Sequence, residues 1–438
     1  MREIINDVLK RIVPDDIEEK KLMQIVDEIK EKIDEQKPED AESMLVGSVA
    51  KGTYLKSATD IDFFILFPIY YKKEIIGKIT ISIGKKILDK WIIQYAEHPY
   101  IRGFYKGYQV DIVPCYRVRS AKEKVSAVDR TPFHTSYILK NLKEEMKNEV
   151  RLLKQFLKGI GCYGAEAKVE GFSGYLTELL ILKYEKFLNI LKESRKWRKK
   201  TVLSIDEGGN KFDEEFVFID PVDNSRNVAA SLSKEKLNFF IFASQEFLKK
   251  PKIEFFFPNK PESISKEKLI SKLNNFLGIC FKKPNISEDI LYPQLKKAVF
   301  SISNFLEQND FKVLRKAWHA NEDAFFAVEI EEIEISREKI HYGPPVDEKK
   351  YVKAFIKKWE NNPNAVGEPF IKNGRFFVKI KRKYVDAFTA IKENIDNINF
   401  GKNLNEIKNA MRICRGKDLL KFRNFWEEYF CDKYPWER

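Results

Sequence analysis

Two acidic residues, Asp60 and Asp62, stand one residue apart at the start of the apolar run Asp60–Phe67. Side chains of a β-strand alternate between its two faces, so both carboxylates should point one way and Ile61 and Phe63 the other. Magnesium prefers oxygen ligands and is usually held by one or two carboxylates together with phosphate oxygens of a substrate. The pair therefore predicts a magnesium site. Acids beside an apolar run also occur where a strand meets solvent, and for these two alone that explanation stays open.

A small-residue turn, Gly47-Ser48-Val49-Ala50-Lys51, precedes the acidic pair. Glycine leaves the backbone N–H groups of such a turn open to a ligand, and these groups form a concave anion site. The Ser48 hydroxyl and the Lys51 ammonium would add to it. A phosphate site next to a metal site can hold a nucleoside triphosphate, which weakens a purely structural explanation of the acids.

A third acid, Asp111, lies inside the strand-like run Tyr108–Pro114, which Pro114 is expected to end. A buried charge there costs several kcal/mol unless it is paired or coordinates a metal. If this strand neighbours the strand of Asp60 and Asp62, the three carboxylates can hold two metal ions about 3.5–4 Å apart. Such ions activate an attacking hydroxyl and stabilise a leaving pyrophosphate, so the predicted reaction is nucleotidyl transfer.

Other patterns in the chain indicate the elements that position these residues. A helix is expected from about Val13 to Gln36, and helices should dominate from residue 140 to 200. Strand-like runs recur at Met44–Val46, Asp60–Phe67, Gly107–Pro114, Ala327–Glu331 and Arg375–Ile380. The proline-bounded connector Lys252–Pro261 marks a domain boundary. The predicted fold class is α+β, with several domains in 438 residues.

The composition favours a soluble protein with a polyanionic partner. The formal net charge is +13, and 33% of the residues are charged. Lysines and arginines that neutralise phosphates release counterions, although charge alone does not separate RNA, DNA and a membrane surface. The basic run Leu191–Lys200 around Trp197 is either an RNA-backbone contact or a solvated helix end. The sequence contains no apolar stretch of about 20 residues, so no membrane span is predicted.

The cysteines are scattered and odd in number: Cys115, Cys162, Cys280, Cys414 and Cys431. This pattern predicts reduced thiols and a cytoplasmic location rather than a disulfide framework. No pair has Cys-x-x-Cys spacing, so magnesium rather than zinc is the expected metal.

Further motifs in the first 260 residues indicate which kind of nucleotidyltransferase the sequence resembles. They follow one another in the order Tyr95–Tyr100, Ala127–His134, Glu149–Lys154, Tyr163–Glu166, Gly171–Tyr175, Asp220–Asp223 and Arg226–Ala230. Together with the Gly-Ser turn and the acids, they resemble the archaeal-type, class I CCA-adding enzymes of the DNA polymerase beta nucleotidyltransferase superfamily. Beyond residue 260 the match is looser.

This resemblance implies a small mixed-sheet nucleotidyltransferase head over residues 1–139, a helical neck over 140–257, and an α/β body and tail over 258–438. It implies template-independent addition and repair of the 3′-terminal CCA of tRNA. CTP and ATP would be the substrates and magnesium the cofactor, in a two-metal site. The body and tail would grip the acceptor stem and TΨC arm of the tRNA, and a homodimer is a further expectation.

The resemblance also assigns site residues. Asp60, Asp62 and Asp111 fall on the catalytic, metal-binding carboxylates, and Asp111 would help to activate the 3′-hydroxyl of the tRNA. The nucleotide-binding positions are Gly47, Ser48, Lys51, His134, Lys154, Tyr163 and Arg226. Of these, Arg226 would lie near the base and the primer end.

Considered without the resemblance, several of these residues have ordinary structural explanations. His134 would pack or hydrogen-bond, and Lys154 would lie on the solvated face of an amphipathic helix. Arg226 would pair with Asp223, in a turn whose polar residues cap a helix that starts near Asn227.

Two other functions are compatible with the same residues. A poly(A) polymerase or an oligoadenylate synthase of the same superfamily would share all three carboxylates and differ in its product. A catalytically inactive RNA-binding relative is disfavoured, because an unused cluster of like charges destabilises a fold and one acid would be expected to disappear.

Overall fold

The computed structural model describes residues 1–56, 59–95, 97–197, 200–206 and 212–438, which form two compact units. The first unit holds Met1–Pro261 with Asp432–Arg438, and the second holds Glu262–Cys431. The last residues of the chain thus lie with the first unit, whereas the sequence placed them in the tail. The division into head, neck, body and tail remains a prediction.

The helices and strands of each unit have the following bounds. In the first unit the helices are α1 (Arg2–Ile12), α2 (Asp16–Asp34), α3 (Gly47–Ala50), α4 (Lys73–Ile87), α5 (Thr131–Asn141), α6 (Glu144–Gly159), α7 (Gly174–Tyr184), α8 (Phe187–Ser194) and α9 (Lys234–Lys249). Its strands are β1 (Glu42–Val46), β2 (Asp60–Phe67), β3 (Asp89–Tyr95), β4 (Pro99–Tyr105), β5 (Tyr108–Tyr116), β6 (Thr201–Leu203), β7 (Phe216–Asp220) and β8 (Asp223–Asn227). In the second unit the helices are α10 (Lys266–Leu273), α11 (Glu288–Gln308), α12 (Lys349–Trp359), α13 (Ala387–Asn394), α14 (Lys402–Glu406) and α15 (Arg423–Tyr429). Its strands are β9 (Phe276–Lys282), β10 (Val313–Ala320), β11 (Asp323–Ile330), β12 (Glu338–Pro345), β13 (Phe370–Lys372), β14 (Arg375–Lys381) and β15 (Arg412–Arg415).

The largest sheet of the first unit has the strand order β1-β2-β5-β4-β3. β2 pairs antiparallel with β1 and parallel with β5. One face of β2 is fully buried in a core shared with α2 and α4, through Ile61, Phe63, Ile65 and Phe67. Because side chains alternate along a strand, Asp60 and Asp62 lie on the opposite face.

The first predicted helix is shorter than expected and follows another helix. α1 ends at Ile12, and α2 begins at Asp16 rather than near Val13. The Asp15 side chain accepts hydrogen bonds from the backbone N–H groups of Ile17 and Glu18, which fixes the start of α2.

The prediction that Pro114 ends its strand is wrong. β5 continues to Tyr116, and Pro114 lies opposite Ile65 of β2. On its other side β5 pairs with β4 only over Tyr108–Ile112. Since the pairing with β4 stops at Ile112, β4 does not require the N–H that proline lacks.

The prediction that a helix begins near Asn227 is also wrong. Asp223–Asn227 form β8, and the next helix begins at Lys234. The Asn227 side chain accepts hydrogen bonds from the backbone N–H groups of Phe218 and Ala229. It therefore ties β8 to β7 and to the following turn instead of capping a helix.

Helices α6 to α9 pack around an aromatic core, and α6 to α8 lie where the sequence predicted helix. The Phe156 ring lies 5.4–5.9 Å, between ring centroids, from those of Phe187, Phe247, Phe255 and Phe256. Trp436, near the end of the chain, stacks on Phe255 at 4.6 Å. This packing fixes α6 and α7, which carry several of the site residues described below.

The second unit contains two sheets, with strand orders β10-β11-β9-β15 and β12-β14-β13. The strands predicted at Ala327–Glu331 and Arg375–Ile380 correspond to β11 and β14. Mixed helices and sheets in two units confirm the predicted α+β, multidomain class. None of the described helices combines the length and apolar character needed to cross a membrane.

Candidate active site

The Gly-Ser turn lies directly against the acidic strand. β1 ends at Val46, and Gly47 opens the short helix α3 with a φ of +72°. A Cβ atom at Gly47 would lie 2.1 Å from Oδ2 of Asp62. Glycine is therefore required here both for the left-handed backbone and for the close approach. The half-buried Ser48 follows at once, so the turn and the acids form one site.

The three predicted carboxylates lie on two neighbouring strands. Asp62 of β2 and Asp111 of β5 are opposite each other in the parallel register, and Asp60 is opposite Gln109. Asp60 is exposed at the start of β2, Asp62 is half-buried and Asp111 is buried. The acids therefore form a group with one end at the solvent.

Crowding and partial burial change the proton affinity of these acids. Burial, and then the charges of Asp111 and Asp60, raise the pKa of Asp62 to about 7. Burial and Asp111 also raise the pKa of Asp60, while Arg102 and Lys158 oppose that rise. Like charges in a partly dry site disfavour ionisation, so a cation bound among the acids would be stabilised strongly.

Arg102 is a site residue that the sequence did not reveal. It lies on β4 opposite Asp111 and donates two hydrogen bonds to that carboxylate, from Nε to Oδ1 at 2.7 Å and from Nη2 to Oδ2 at 2.6 Å. A charge inside this strand requires pairing or metal ligation, and here the arginine supplies the pair. A bidentate pair of this kind also fixes the orientation of the carboxylate.

The donor set of the acids suits magnesium, because it consists of carboxylate oxygens. In the part of the chain that the structure describes, no three His, Cys, Asp or Glu side chains are arranged as a metal-binding group, and this includes Asp60, Asp62 and Asp111; their fit to magnesium therefore rests on the chemistry of their oxygens. Arg102 occupies one lone pair on each oxygen of Asp111. Each oxygen keeps a second lone pair, so Asp111 can still accept a ligand.

Lys51 and Lys154 meet at a buried glutamate, Glu178 of α7. Lys51 Nζ lies 2.6 Å from Glu178 Oε2, and Lys154 Nζ lies 3.6 Å from Glu178 Oε1. The Thr53 hydroxyl donates to Glu178 Oε1 at 2.8 Å and accepts from Lys154 Nζ at 3.1 Å. All four residues are at most 8% exposed. The solvated-face explanation of Lys154 is therefore wrong, because a glutamate on another helix compensates its charge inside the protein.

Sequence reasoning missed Glu178 although a signal was present. It is the one acid in the otherwise apolar helix segment Gly174-Tyr175-Leu176-Thr177-Glu178-Leu179-Leu180-Ile181-Leu182. The argument that drew attention to Asp111, a charge inside an apolar element, applies equally to this glutamate.

Lys158 is a second unpredicted residue, one helical turn after Lys154 on α6. Its Nζ lies 5.6 Å from the ring centroid of Tyr163. Burial, and then the charges of Glu178, Glu166 and the acids of β2, raise the pKa of Tyr163. The charges of Glu178 and of the acids of β2 thus act on the Tyr163 hydroxyl.

His134 and Arg226 meet at a buried aspartate, Asp220. His134 Nε2 lies 3.0 Å and Arg226 Nη1 lies 2.9 Å from Asp220 Oδ2. The Tyr175 hydroxyl donates to Asp220 Oδ1 at 3.1 Å, and its ring stacks on His134 at 4.0 Å between centroids. Burial lowers the pKa of His134, and the hydrogen bond to Asp220 opposes that shift. Asp220 therefore orients two of the residues predicted to contact the nucleotide.

The expected ion pair between Arg226 and Asp223 is wrong. Asp223 instead lies 3.0 Å from Lys124 Nζ and 3.4 Å from Arg130 Nη1. The hydrogen bonds of Asp223 to Ser225, at the start of β8, hold it in this position. Arg226 therefore pairs with Asp220 and not with Asp223.

Trp197, at the centre of the basic run, belongs to the core of the first unit. It is 6% exposed, and its ring centroid lies 4.9 Å from that of Phe216 and 5.8 Å from that of Phe240. It is therefore not available to stack on a base. Arg198 and Lys199, two of the basic residues of this run, lie outside the described residues.

The chain is similar over nearly its whole length to archaeal proteins named CCA-adding enzyme. The relative from Archaeoglobus fulgidus is 39% identical over 429 residues, which cover 96% of each chain. The chain belongs to the CCA-adding enzyme family. The member from Methanocaldococcus jannaschii is 38% identical over 92% of this chain and 94% of its own, and the member from Pyrococcus abyssi is 41% identical over 78% and 80%.

Three family descriptions cover successive parts of this CCA-adding enzyme family member. They are the nucleotidyltransferase domain over residues 26–134, the second domain of tRNA nucleotidyltransferase over 148–257, and the C-terminal domain of the CCA-adding enzyme over 274–416. The acids and the Gly-Ser turn lie in the first, and Lys154 and Glu178 lie in the second. Among solved structures, the Cid1 poly(U) polymerase covers 57% of this chain and 94% of its own at 15% identity, with a TM-score of 0.45, too slight a likeness to bear on function.

Proposed function

We propose that the protein adds and repairs the 3′-terminal CCA of tRNA without a nucleic-acid template, using CTP and ATP. The observation that carries this proposal is the similarity to CCA-adding enzymes over 96% of the chain, together with the intact set of three carboxylates. In the reaction, the 3′-oxygen of the tRNA bonds to the α-phosphorus of the nucleotide. The bond from that phosphorus to the β-phosphate breaks, pyrophosphate leaves and the hydroxyl proton is released.

The carboxylates are assigned to metal binding. Asp60, Asp62 and Asp111 would hold two magnesium ions, which suit their oxygen donors and which, when bound, lower the pKa of an attacking hydroxyl and stabilise a leaving pyrophosphate. Asp111 is the innermost of the three, and its orientation by Arg102 supports a role beside the 3′-hydroxyl.

The phosphates and the base of the nucleotide are assigned to different residues. The Gly47-Ser48 turn, Lys51 and Lys154 would bind the phosphates, since they supply N–H, hydroxyl and ammonium donors; Gly47 lies against Asp62, and the two lysines meet at Glu178. His134, Tyr163 and Arg226 would contact the base and the end of the primer. The stacked and ion-paired geometry around Asp220 supports this, because it presents a ring and a guanidinium in fixed orientations.

The tRNA contacts extend beyond the site. We divide the chain into a head over residues 1–139, a neck over 140–257, and a body and tail over 258–438. We assign the acceptor stem and the TΨC arm to the body and tail. The net charge of +13 supports a large phosphate-contacting surface. A homodimer and a cytoplasmic location complete the proposal, and the free thiols of the cysteines accord with a reducing compartment.

The test is the length of the product made from tRNA that lacks its CCA end. The protein is incubated with magnesium and labelled CTP or ATP, singly and together, and products are resolved to single nucleotides. We expect two C residues and one A, after which growth stops. Long A tails from ATP alone would instead indicate a poly(A)-type transferase, and RNA binding without incorporation would indicate an inactive relative. The named relatives favour neither alternative.

A further inference from the structure

Glu178 occupies a place in the site that packing alone does not explain. It is fully buried on α7, yet both of its oxygens face charged or polar groups from other elements. Lys51 follows α3, Thr53 lies in the same loop, and Lys154 comes from α6. A buried carboxylate is strongly unfavourable unless it is paired and hydrogen-bonded, and here its partners are Lys51, Thr53 and Lys154.

The cluster of Lys51, Lys154 and Glu178 carries an excess of positive charge. Two ammonium groups share one carboxylate, which leaves a net charge of +1 among residues that are at most 8% exposed. Among the described residues, Glu178 is the one hydrogen-bond acceptor of Lys51 Nζ. An ammonium has three N–H groups, so Lys51 has donors left for an anion. The turn at Gly47, beside Asp62, is four residues away in the chain.

We propose that Glu178 is the positioning residue of the triphosphate site: it holds Lys51 and Lys154 together so that both ammonium groups meet the phosphates of whichever nucleotide is bound. The inference rests on the proposed function and deepens it. Without the carboxylate, the two buried ammonium groups would repel each other. With it, the cation pair is assembled before the nucleotide arrives, which reduces the reorganisation that binding requires.

The proposed role separates phosphate binding from base selection. The Glu178 cluster offers donors for phosphate oxygens, whereas the His134 and Arg226 cluster is organised by Asp220. A change at Glu178 should therefore affect CTP and ATP by the same factor. For a change at Asp220 we do not predict equal effects on CTP and ATP.

The charge of Lys154 provides a readout that a merely structural role would not move. Burial lowers the pKa of Lys154 to about 8, Glu178 opposes that shift, and Lys51 and Arg151 add to it. The Thr53 hydroxyl and carbonyl oxygens also face this ammonium. Removing the negative charge of Glu178 should lower the pKa of Lys154 further, so Lys154 should lose more of its charge at pH 8 than at pH 6.

The experiment measures the dissociation constants of CTP and ATP for the full-length chain without tRNA, by calorimetry with magnesium at pH 6 and pH 8. For Glu178→Gln we expect roughly tenfold weaker binding of both nucleotides at pH 8 and a smaller change at pH 6. Glu149→Gln is the matched control, because it removes a partly buried carboxylate that accepts a backbone hydrogen bond from Phe187 within the same unit. It should leave both constants unchanged.

A second variant keeps the proposal testable if Glu178→Gln does not fold. Thr53→Val removes the hydroxyl that links Glu178 to Lys154 and keeps every charge. It should weaken CTP and ATP equally by a few-fold. Unchanged constants in the folded variants, a change confined to one nucleotide, or a loss that is independent of pH in Glu178→Gln would overturn the inference alone. A wild-type chain that binds neither nucleotide would overturn the proposed function with it.

Discussion

At the scale of single residues, the candidate site brings acidic groups close together, and their ionised forms destabilise the folded protein. Asp62 is half-buried between other acids, and its pKa of about 7 lies well above that of an aspartate in water. A carboxyl group whose pKa is higher in the folded state than in the unfolded chain destabilises the fold once the pH exceeds the unfolded value. The acid that suits metal binding should therefore weaken the metal-free protein.

Asp62→Asn should stabilise the metal-free protein at pH 8. Well below the unfolded pKa of about 3.8 the aspartate is protonated in both states, so variant and wild type should be equally stable. As the pH rises from the unfolded pKa of about 3.8 to the folded pKa of about 7, the wild type loses stability, and above that the full difference remains. We expect roughly 2–4 kcal/mol at pH 8, measured by urea unfolding with a chelator present.

The control for this prediction is Asp27→Asn, which changes an exposed acid on α2. It should alter the free energy of unfolding by less than about 0.5 kcal/mol at either pH. If Asp62→Asn were less stable than the wild type at pH 8, the carboxylate would be paired rather than strained in the metal-free protein.

At the scale of elements, the contact between the turn after β1 and strand β2 decides where the acids lie. Gly47→Ala would place a Cβ atom 2.1 Å from Asp62 Oδ2 and would strain a backbone with φ of +72°. We expect the transfer activity to fall about 100-fold or more, because a displacement of about 1 Å at a catalytic group has effects of this size. Activity on tRNA that lacks CCA is the measurement.

Gly161→Ala is the control that separates the effect of backbone strain from the effect of displacing Asp62. Gly161 has nearly the same φ, +70°, but a Cβ atom there would meet nothing within 4 Å. Both variants should therefore lose roughly 1–2 kcal/mol of stability from the backbone alone, and only Gly47→Ala should also lose activity. Equal activity losses would show that the turn matters only through folding.

The helices and strands are largely predictable from the sequence. The ion pairs between side chains of different elements are not. β2 and β14 follow from local runs of apolar residues, and α6 follows from its apolar spacing. Arg102 could not be found in this way, because its pair with Asp111 depends on the register between β4 and β5, which many distant contacts set.

The errors have the same origin. Pro114 is wrongly predicted to end its strand because the sequence does not show that the pairing of β5 with β4 stops at Ile112. Arg226 was paired with Asp223, a close neighbour in the chain, although β8 turns Asp223 towards Lys124. Local patterns give the type of element, whereas the choice among possible ion pairs is made by the packing of whole elements.

At the scale of the whole molecule, chemistry and RNA binding should be separable. The three carboxylates and the residues proposed to bind phosphate lie in the first unit, which residues 1–261 and 432–438 form. Binding of tRNA is proposed to use a much larger basic surface, and such binding depends on many phosphate contacts rather than on single acids. Loss of one metal-binding carboxylate should therefore abolish transfer and leave RNA affinity nearly intact.

The most direct test is to measure CCA addition and tRNA affinity on the same preparation of Asp111→Ala. Asp111→Asn is examined beside it, because asparagine keeps the volume of the aspartate and can still accept a hydrogen bond from Arg102. We predict a loss of addition of about 100-fold or more in both variants, with a dissociation constant for tRNA within about threefold of the wild type. Retained addition, or an equal loss of tRNA binding in the folded asparagine variant, would contradict the assignment of Asp111 to the chemistry of transfer.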